Sequence, residues 1–275
     1  MNTAHMPKAD KADKALLLVG LPLVLGLLLS ACGSGAQPQG TAPSPGREGS
    51  SSGGAITVLA AASLTEAFNQ IGKDFEAKNP DSTVTFSFGS SATLATQVLQ
   101  GAPADVFAAA SPATMKTVSA AGAANTPADF ASNTLQIAVP KGNPHKITGL
   151  KDFADESARI ALCAPQVPCG AAAVQVFAEA KVDPKPDTLE QDVKATLQKV
   201  TSDEVDAALV YKTDVIAAGN QVDGMEFPEA LKAINVYPIA TLQESKNPSL
   251  AQAFVDYVLS PEGQSVLAKA GFAQP

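Results

Sequence analysis

The chain contains no tryptophan, only two histidines and three cysteines among 275 residues, and aromatic residues make up 5% of it. Scarce imidazole leaves little room for histidine-based catalysis or a multi-histidine metal centre. His5 lies in the N-terminal segment, and His145 follows the turn Gly142-Asn143-Pro144, where a single imidazole is expected to be solvated. Basic residues are also few: 19 Lys and Arg face 27 Asp and Glu, for a net charge of −8. An acidic surface argues against nucleic acid as a partner and repels anions at long range. Any anion site must then act through local hydrogen bonds. No Walker loop is present, so nucleotide hydrolysis is not expected of this chain. Long apolar runs are equally few. Ala15–Leu29 is the main one, and it is too short and too quickly followed by polar sequence to span a bilayer comfortably.

That run has a different meaning. Lys8, Lys11 and Lys14 precede it, as in a secretory signal, and it ends in Leu29-Ser30-Ala31-Cys32-Gly33. This pattern resembles a lipobox, cut before a cysteine that then carries lipid. We therefore expect residues 1–31 to be a lipoprotein signal peptide and Cys32 the lipidation site, with an ordinary signal and a chance cysteine as the alternative. From Gly33 to Gly54, 15 of 22 residues are Gly, Ser or Pro. Such a segment cannot bury enough apolar surface to fold, so 32–54 is expected to be a tether. Removal of residues 1–31 leaves 16 basic and 25 acidic residues, a net charge of −9.

The rest, residues 55–275, is long enough for one large domain or two lobes. Ile56–Leu59, Val84–Phe88, Asp105–Ala109, Leu135–Val139, Arg159–Leu162, Ala207–Tyr211 and Ile234–Ile239 read as strands. Between them run helical patterns, such as Leu64, Ala67, Phe68, Ile71 and Phe75 on one face. Ser63-Leu64-Thr65-Glu66 reads as a capping box opening the first helix. Strands alternating with helices predict an α/β fold, in which loops at the C-terminal strand ends collect ligands.

Five such loops carry candidate residues. Ser63 and the pair Ser90-Ser91 stand at strand-to-helix junctions, where hydroxyls and unpaired first-turn N–H groups coincide. The alternative for each serine is a plain N-cap. Ala164-Pro165-Gln166-Val167-Pro168-Cys169-Gly170 is a stiff turn before a helix. Cys163 and Cys169, six apart in an exported chain, are expected to pair as a disulfide, against two free buried thiols. Two sulfurs with no histidine nearby do not complete a metal shell. Val193 starts a helix and reads equally as core; Tyr211 ends a strand and reads as core edge or hydroxyl donor.

Taken together, Ala60-Ala61-Ala62-Ser63-Leu64-Thr65, Phe88-Gly89-Ser90-Ser91-Ala92-Thr93-Leu94-Ala95, Gly101-Ala102-Pro103-Ala104-Asp105-Val106-Phe107, Val167-Pro168-Cys169-Gly170, Asp192-Val193 and Ala208-Leu209-Val210-Tyr211 resemble, in order and approximate spacing, the molybdate-binding (ModA) family. The resemblance covers nearly all of 55–275. It implies a two-lobed type II periplasmic binding protein with a ligand cleft between the lobes and two hinge strands. Lobe 1 would be 55–135 and 238–275, and lobe 2 would be 136–237, with hinge strands near Leu135–Pro140 and Val236–Ile239. By the same resemblance, Ser63 and Ser91 would bind molybdate or tungstate from lobe 1. Cys169 and Val193, through backbone N–H groups, and Tyr211, through its hydroxyl, would bind from lobe 2. The family usually has alanine where this chain has Cys169. The implied partners are an ABC permease and its ATPase, with no cofactor. The protein would be a monomer on the extracytoplasmic face of the cell membrane, held by lipid on Cys32.

Three other functions are weighed against this one. A sulfate or other oxyanion carrier shares the fold. A Ser-dependent hydrolase is opposed by Ser63 lying in Ala-Ser-Leu rather than in a nucleophile elbow. A structural lipoprotein would show no ligand-dependent stabilisation.

Overall fold

The computed structural model describes residues 53–275. The expected signal segment, Cys32 and nearly all of the tether lie outside the described residues.

The chain first lays down β1 (Gly54–Ala61), α1 (Thr65–Lys78), β2 (Ser82–Gly89), α2 (Ser91–Leu99), β3 (Val106–Ala108), α3 (Pro112–Ala120) and β4 (Ala128–Asn133). It then builds β5 (Leu135–Pro140), β6 (Ile160–Cys163), α4 (Pro168–Ala180), β7 (Thr188–Glu190), α5 (Val193–Thr201), β8 (Ala207–Tyr211), α6 (Lys212–Ala218) and β9 (Val222–Met225). Finally β10 (Asn235–Thr241), α7 (Pro248–Leu259) and α8 (Pro261–Lys269) return to the first set.

Two five-stranded sheets result, ordered β2-β1-β3-β10-β4 and β7-β6-β8-β5-β9. In the first, β1 lies parallel to β2 and β3, while β10 runs antiparallel to β3 and β4. The second repeats the plan: β6 is parallel to β7 and β8, and β5 is antiparallel to β8 and β9. Each sheet therefore has a parallel part whose C-terminal strand ends gather loops on one edge, the position where such folds bind ligands.

Side-chain pattern explains the packing. α1 buries Ala67, Phe68, Ile71, Gly72 and Phe75 against the first sheet. Gly72 permits close approach, because a Cβ there would lie 2.6 Å from the Phe86 ring. Phe68 sits within about 6 Å of Phe86, Phe130 and Phe254, joining α1, β2, β4 and α7 in one aromatic cluster. In the second lobe all six residues of β5 are buried, as a central strand covered on both faces requires.

Several expectations change in detail. Ser63 does not cap α1: residues Ala62–Leu64 form a short 3-10 turn and the helix starts at Thr65. The Ser63 hydroxyl is instead committed to a buried tyrosine, so the capping-box reading fails. Asn235–Tyr237 already pair with β4 in the first sheet, and Leu135 already pairs with Tyr211 in the second. The crossings between lobes therefore fall at Thr134 and at Ala233-Ile234, one or two residues before the expected hinge strands. β4, β7, α6 and β9 were not anticipated, because each is short or carries too few apolar residues to show a period.

Candidate functional site

One small cavity lies between the lobes, with about 220 Å³ of space including its mouth. The first lobe contributes Ala61-Ala62-Ser63 after β1, Gly89-Ser90-Ser91 after β2, and Ala110 after β3. The second contributes Val167-Pro168-Cys169 at the start of α4, Asp192-Val193 at the start of α5, and Tyr211 at the end of β8. All five sequence candidates (Ser63, Ser91, Cys169, Val193, Tyr211) thus line a single space.

Helix starts dominate that lining. Ser91, Cys169 and Val193 lie in the first turns of α2, α4 and α5, where N–H groups have no intrahelical acceptor. Among the described residues Asp192 is the only charged one in the lining, and its carboxylate is already engaged. It accepts the N–H groups of Lys194 and Ala195 at 2.9 and 3.0 Å as the cap of α5. Among the described residues, no Lys or Arg lines the cavity.

The hydroxyls differ in how far their partners commit them. The Ala110 N–H donates to Ser91 Oγ at 2.9 Å, which leaves the Ser91 hydrogen for the cavity. Ser63 Oγ lies 2.9 Å from Tyr237 Oη. Among the described residues, Ser90 Oγ and Tyr211 Oη are buried with no partner in good hydrogen-bond geometry, although Tyr211 Oη lies close to Tyr237 and Asn235. Leaving a buried polar group unpaired is costly, and both of these residues line the cavity. Burial, followed by the neighbouring Tyr237 and Asp214, holds the Tyr211 phenol well above the usual range, so it stays protonated and able to donate.

The walls are braced from behind. Cys163 and Cys169 form a disulfide with Cα atoms 5.8 Å apart, closing the turn that presents Cys169. Gly170 cannot carry a side chain, since a Cβ there would sit 1.9 Å from the Ala164 carbonyl oxygen. Asp214 Oδ2 accepts the Tyr211 N–H at 3.1 Å. Asp214 Oδ1 lies 3.1 Å from Lys194 Nζ, which also reaches both carboxylate oxygens of Glu66 across the cleft at 2.8 and 2.9 Å. Burial pushes the Asp214 carboxyl up to about 6, against the pull of Lys194. Burial alone would lower the Lys194 ammonium; Asp214 and Glu66 outweigh it and hold it above the ordinary lysine value.

Sequence reasoning set Ser90 aside in favour of Ser91, and it missed Ala110, Asp192 as a lining residue, Lys194 and Tyr237. Ala110 had a signal, being the third strand-to-helix junction of the first lobe. Tyr237 had none, since a tyrosine inside a strand reads as core. His145 is half exposed and pairs with Asp206 at 3.2 Å, away from the cavity. No serine of the site has it as a base.

With this geometry in hand, comparison with known proteins is direct. Residues 56–273 match the family model described as bacterial extracellular solute-binding protein. The molybdate-binding protein ModA of Mycobacterium tuberculosis is 41% identical over 259 residues, covering 94% of this chain and 97% of that protein. A Bacillus subtilis protein described as a putative ABC transporter substrate-binding lipoprotein, YvgL, is 32% identical, covering 79% of this chain and 85% of its own. Among solved structures, the substrate-binding domain of a putative molybdenum ABC transporter from Clostridium difficile aligns with TM-score 0.61 at 27% identity, covering 80% of this chain and 99% of that one. The Azotobacter vinelandii periplasmic molybdate-binding protein shares the fold, with TM-score 0.69 at 20% identity and coverage of 80% and 99%. The chain belongs to the family of bacterial extracellular solute-binding proteins.

Proposed function

We propose that this protein captures molybdate, and also tungstate, outside the cytoplasm and delivers it to an ABC importer. The observation that carries the reading is the polarity of the cavity. Its free polar groups are hydroxyls and first-turn N–H groups, and its one carboxylate is capped inward. A deprotonated tetrahedral dianion needs only donors, and each hydrogen bond to a charged group contributes about 1.5–3 kcal/mol. The names of the mycobacterial and Clostridium difficile relatives support molybdate as the solute.

In this reading Ser63, Ser91 and Tyr211 donate hydroxyls, and Cys169 and Val193 donate backbone N–H groups. Both lobes hold the ion at once, so binding favours the closed form, which a permease can recognise. The permease, its ATPase, a monomeric state and a lipid anchor on Cys32 belong to the same proposal. The lipobox-like sequence and the lipoprotein relative support the anchor. Equilibrium dialysis of residues 49–275 against molybdate, with elemental analysis, tests the reading. One molybdenum retained per chain is expected, and retention no better than for a denatured control contradicts it.

A further inference from the structure

Ser63 lines the cavity, and its only side-chain hydrogen-bond partner among the described residues is Tyr237 Oη at 2.9 Å. Both oxygens are hydroxyls, so distance alone does not say which donates. The neighbours favour one direction. Asn133 Oδ1 accepts the Thr134 N–H at 3.0 Å, which turns its Nδ2 the other way. That amide nitrogen then donates to Thr213 Oγ1 at 2.8 Å and, more weakly, toward Tyr237 Oη at 3.5 Å. Tyr237 Oη therefore already faces the Asn133 amide and lies beside the Tyr211 hydroxyl, and the arrangement in which its own hydrogen goes to Ser63 satisfies all of these groups. Burial holds this phenol above its usual range, so the hydrogen stays. With Tyr237 donating to it, Ser63 has one place for its own hydrogen that satisfies it: the cavity.

We infer that Tyr237 is a specificity-determining positioning residue, which fixes Ser63 as a donor through the ordered chain Asn133 to Tyr237 to Ser63 to ligand. The inference rests on the proposed oxyanion function and extends it to selectivity. A fully deprotonated anion meets donors only. An anion that keeps a proton, such as phosphate near neutral pH, needs an acceptor, and Tyr237 denies it the Ser63 oxygen. Ser91 is held the same way by the Ala110 N–H, but that donor is backbone and no side-chain substitution removes it. Tyr237 is thus the adjustable part of the device. It also sits beside the crossing at Thr134 and packs its ring on Phe130, Tyr211 and Phe272, so the chain runs through the hinge rather than the surface.

Tyr237→Phe keeps that ring packing and deletes one hydroxyl. Calorimetric titration of residues 49–275 with molybdate, and displacement of bound molybdate by phosphate, is to be run on the unsubstituted chain, Tyr237→Phe, Ser63→Ala and the double variant. Tyr237→Phe is expected to weaken molybdate binding about 2- to 10-fold, the effect of one neutral hydrogen bond. Phosphate should displace molybdate more readily than that loss explains, because the Ser63 hydroxyl is free to turn and accept. In the Ser63→Ala background Tyr237→Phe should change neither quantity. An unchanged molybdate-to-phosphate ratio in Tyr237→Phe overturns the inference while leaving the proposed function standing, as does an equal loss with and without Ser63. Failure of the unsubstituted chain to bind any oxyanion overturns the proposed function, and this inference with it.

Discussion

At the scale of single residues, the site depends on which atoms are already occupied. Ser91 Oγ is taken up by the Ala110 N–H, Asp192 by its own helix, and Ser63 by Tyr237. In the proposed reading, what remains free points inward and donates. Ser91→Ala should therefore weaken molybdate binding about 10- to 150-fold, the equivalent of one hydrogen bond to an anion at about 1.5–3 kcal/mol. Calorimetric titration reads this directly, and a change below twofold contradicts the assignment of Ser91 as a ligand. The serines were legible in the sequence because a hydroxyl at a strand-to-helix junction repeats twice. Their exact employment was not legible. The sequence pattern suggested that Ser63 caps a helix, and only the tertiary placement of Tyr237, 174 residues later, shows otherwise. Cys169 and Val193 came from family resemblance, since a backbone donor leaves no mark in side-chain chemistry.

At the scale of elements, three helices begin at the cavity, and their first turns supply its N–H groups. The α4 turn is the one held covalently. Cys163 ends β6 and Cys169 lies in the first turn of α4, so the disulfide fixes a donor-bearing turn to a sheet. Reduction and alkylation, or Cys163→Ala with Cys169→Ala, should lower stability by about 2 kcal/mol on chain-entropy grounds for so short a loop. Molybdate affinity should fall as well, because the Cys169 N–H loses its fixed place. Denaturant melts and titration together check this, and loss of stability with unchanged affinity confines the bridge to a structural role. The helices and central strands were readable because apolar residues recur with clear periods. The edge strands were not: β7 is Thr-Leu-Glu with no fully buried residue, and β9 is Val-Asp-Gly-Met with only Val222 buried. Their pairing is set by neighbours in the sheet, which sequence period cannot report.

At the scale of the whole molecule, two lobes with the same sheet plan face each other across the cavity, and Glu66 to Lys194 is an ion pair between them. Asp214 completes that group from beneath. Its carboxyl, pushed up to about 6 from an ordinary 3.8 by burial, keeps a proton in the folded protein that the unfolded chain has already released. The stability it contributes is full below about pH 4 and is lost as pH rises through about 6. Asp214→Asn should remove this loss, so the variant gains relative to the unsubstituted chain between pH 4 and pH 7. Urea melts across that range test it, and a constant difference between the two proteins contradicts the shift. The acidic net charge of the chain, −8, makes long-range attraction an unsuitable basis for anion capture, and leaves the local donors to do it.

The most direct test of donor-only oxyanion capture is a thermal melt of residues 49–275 with molybdate, tungstate, sulfate and phosphate in turn. Ligand at about 100 times its dissociation constant adds about 2.7 kcal/mol, or roughly 5–11 °C for a domain of this size. A rise with molybdate and tungstate, and none with phosphate, is the predicted result, whereas a rise with sulfate alone would change the solute and no rise with any oxyanion would contradict the account.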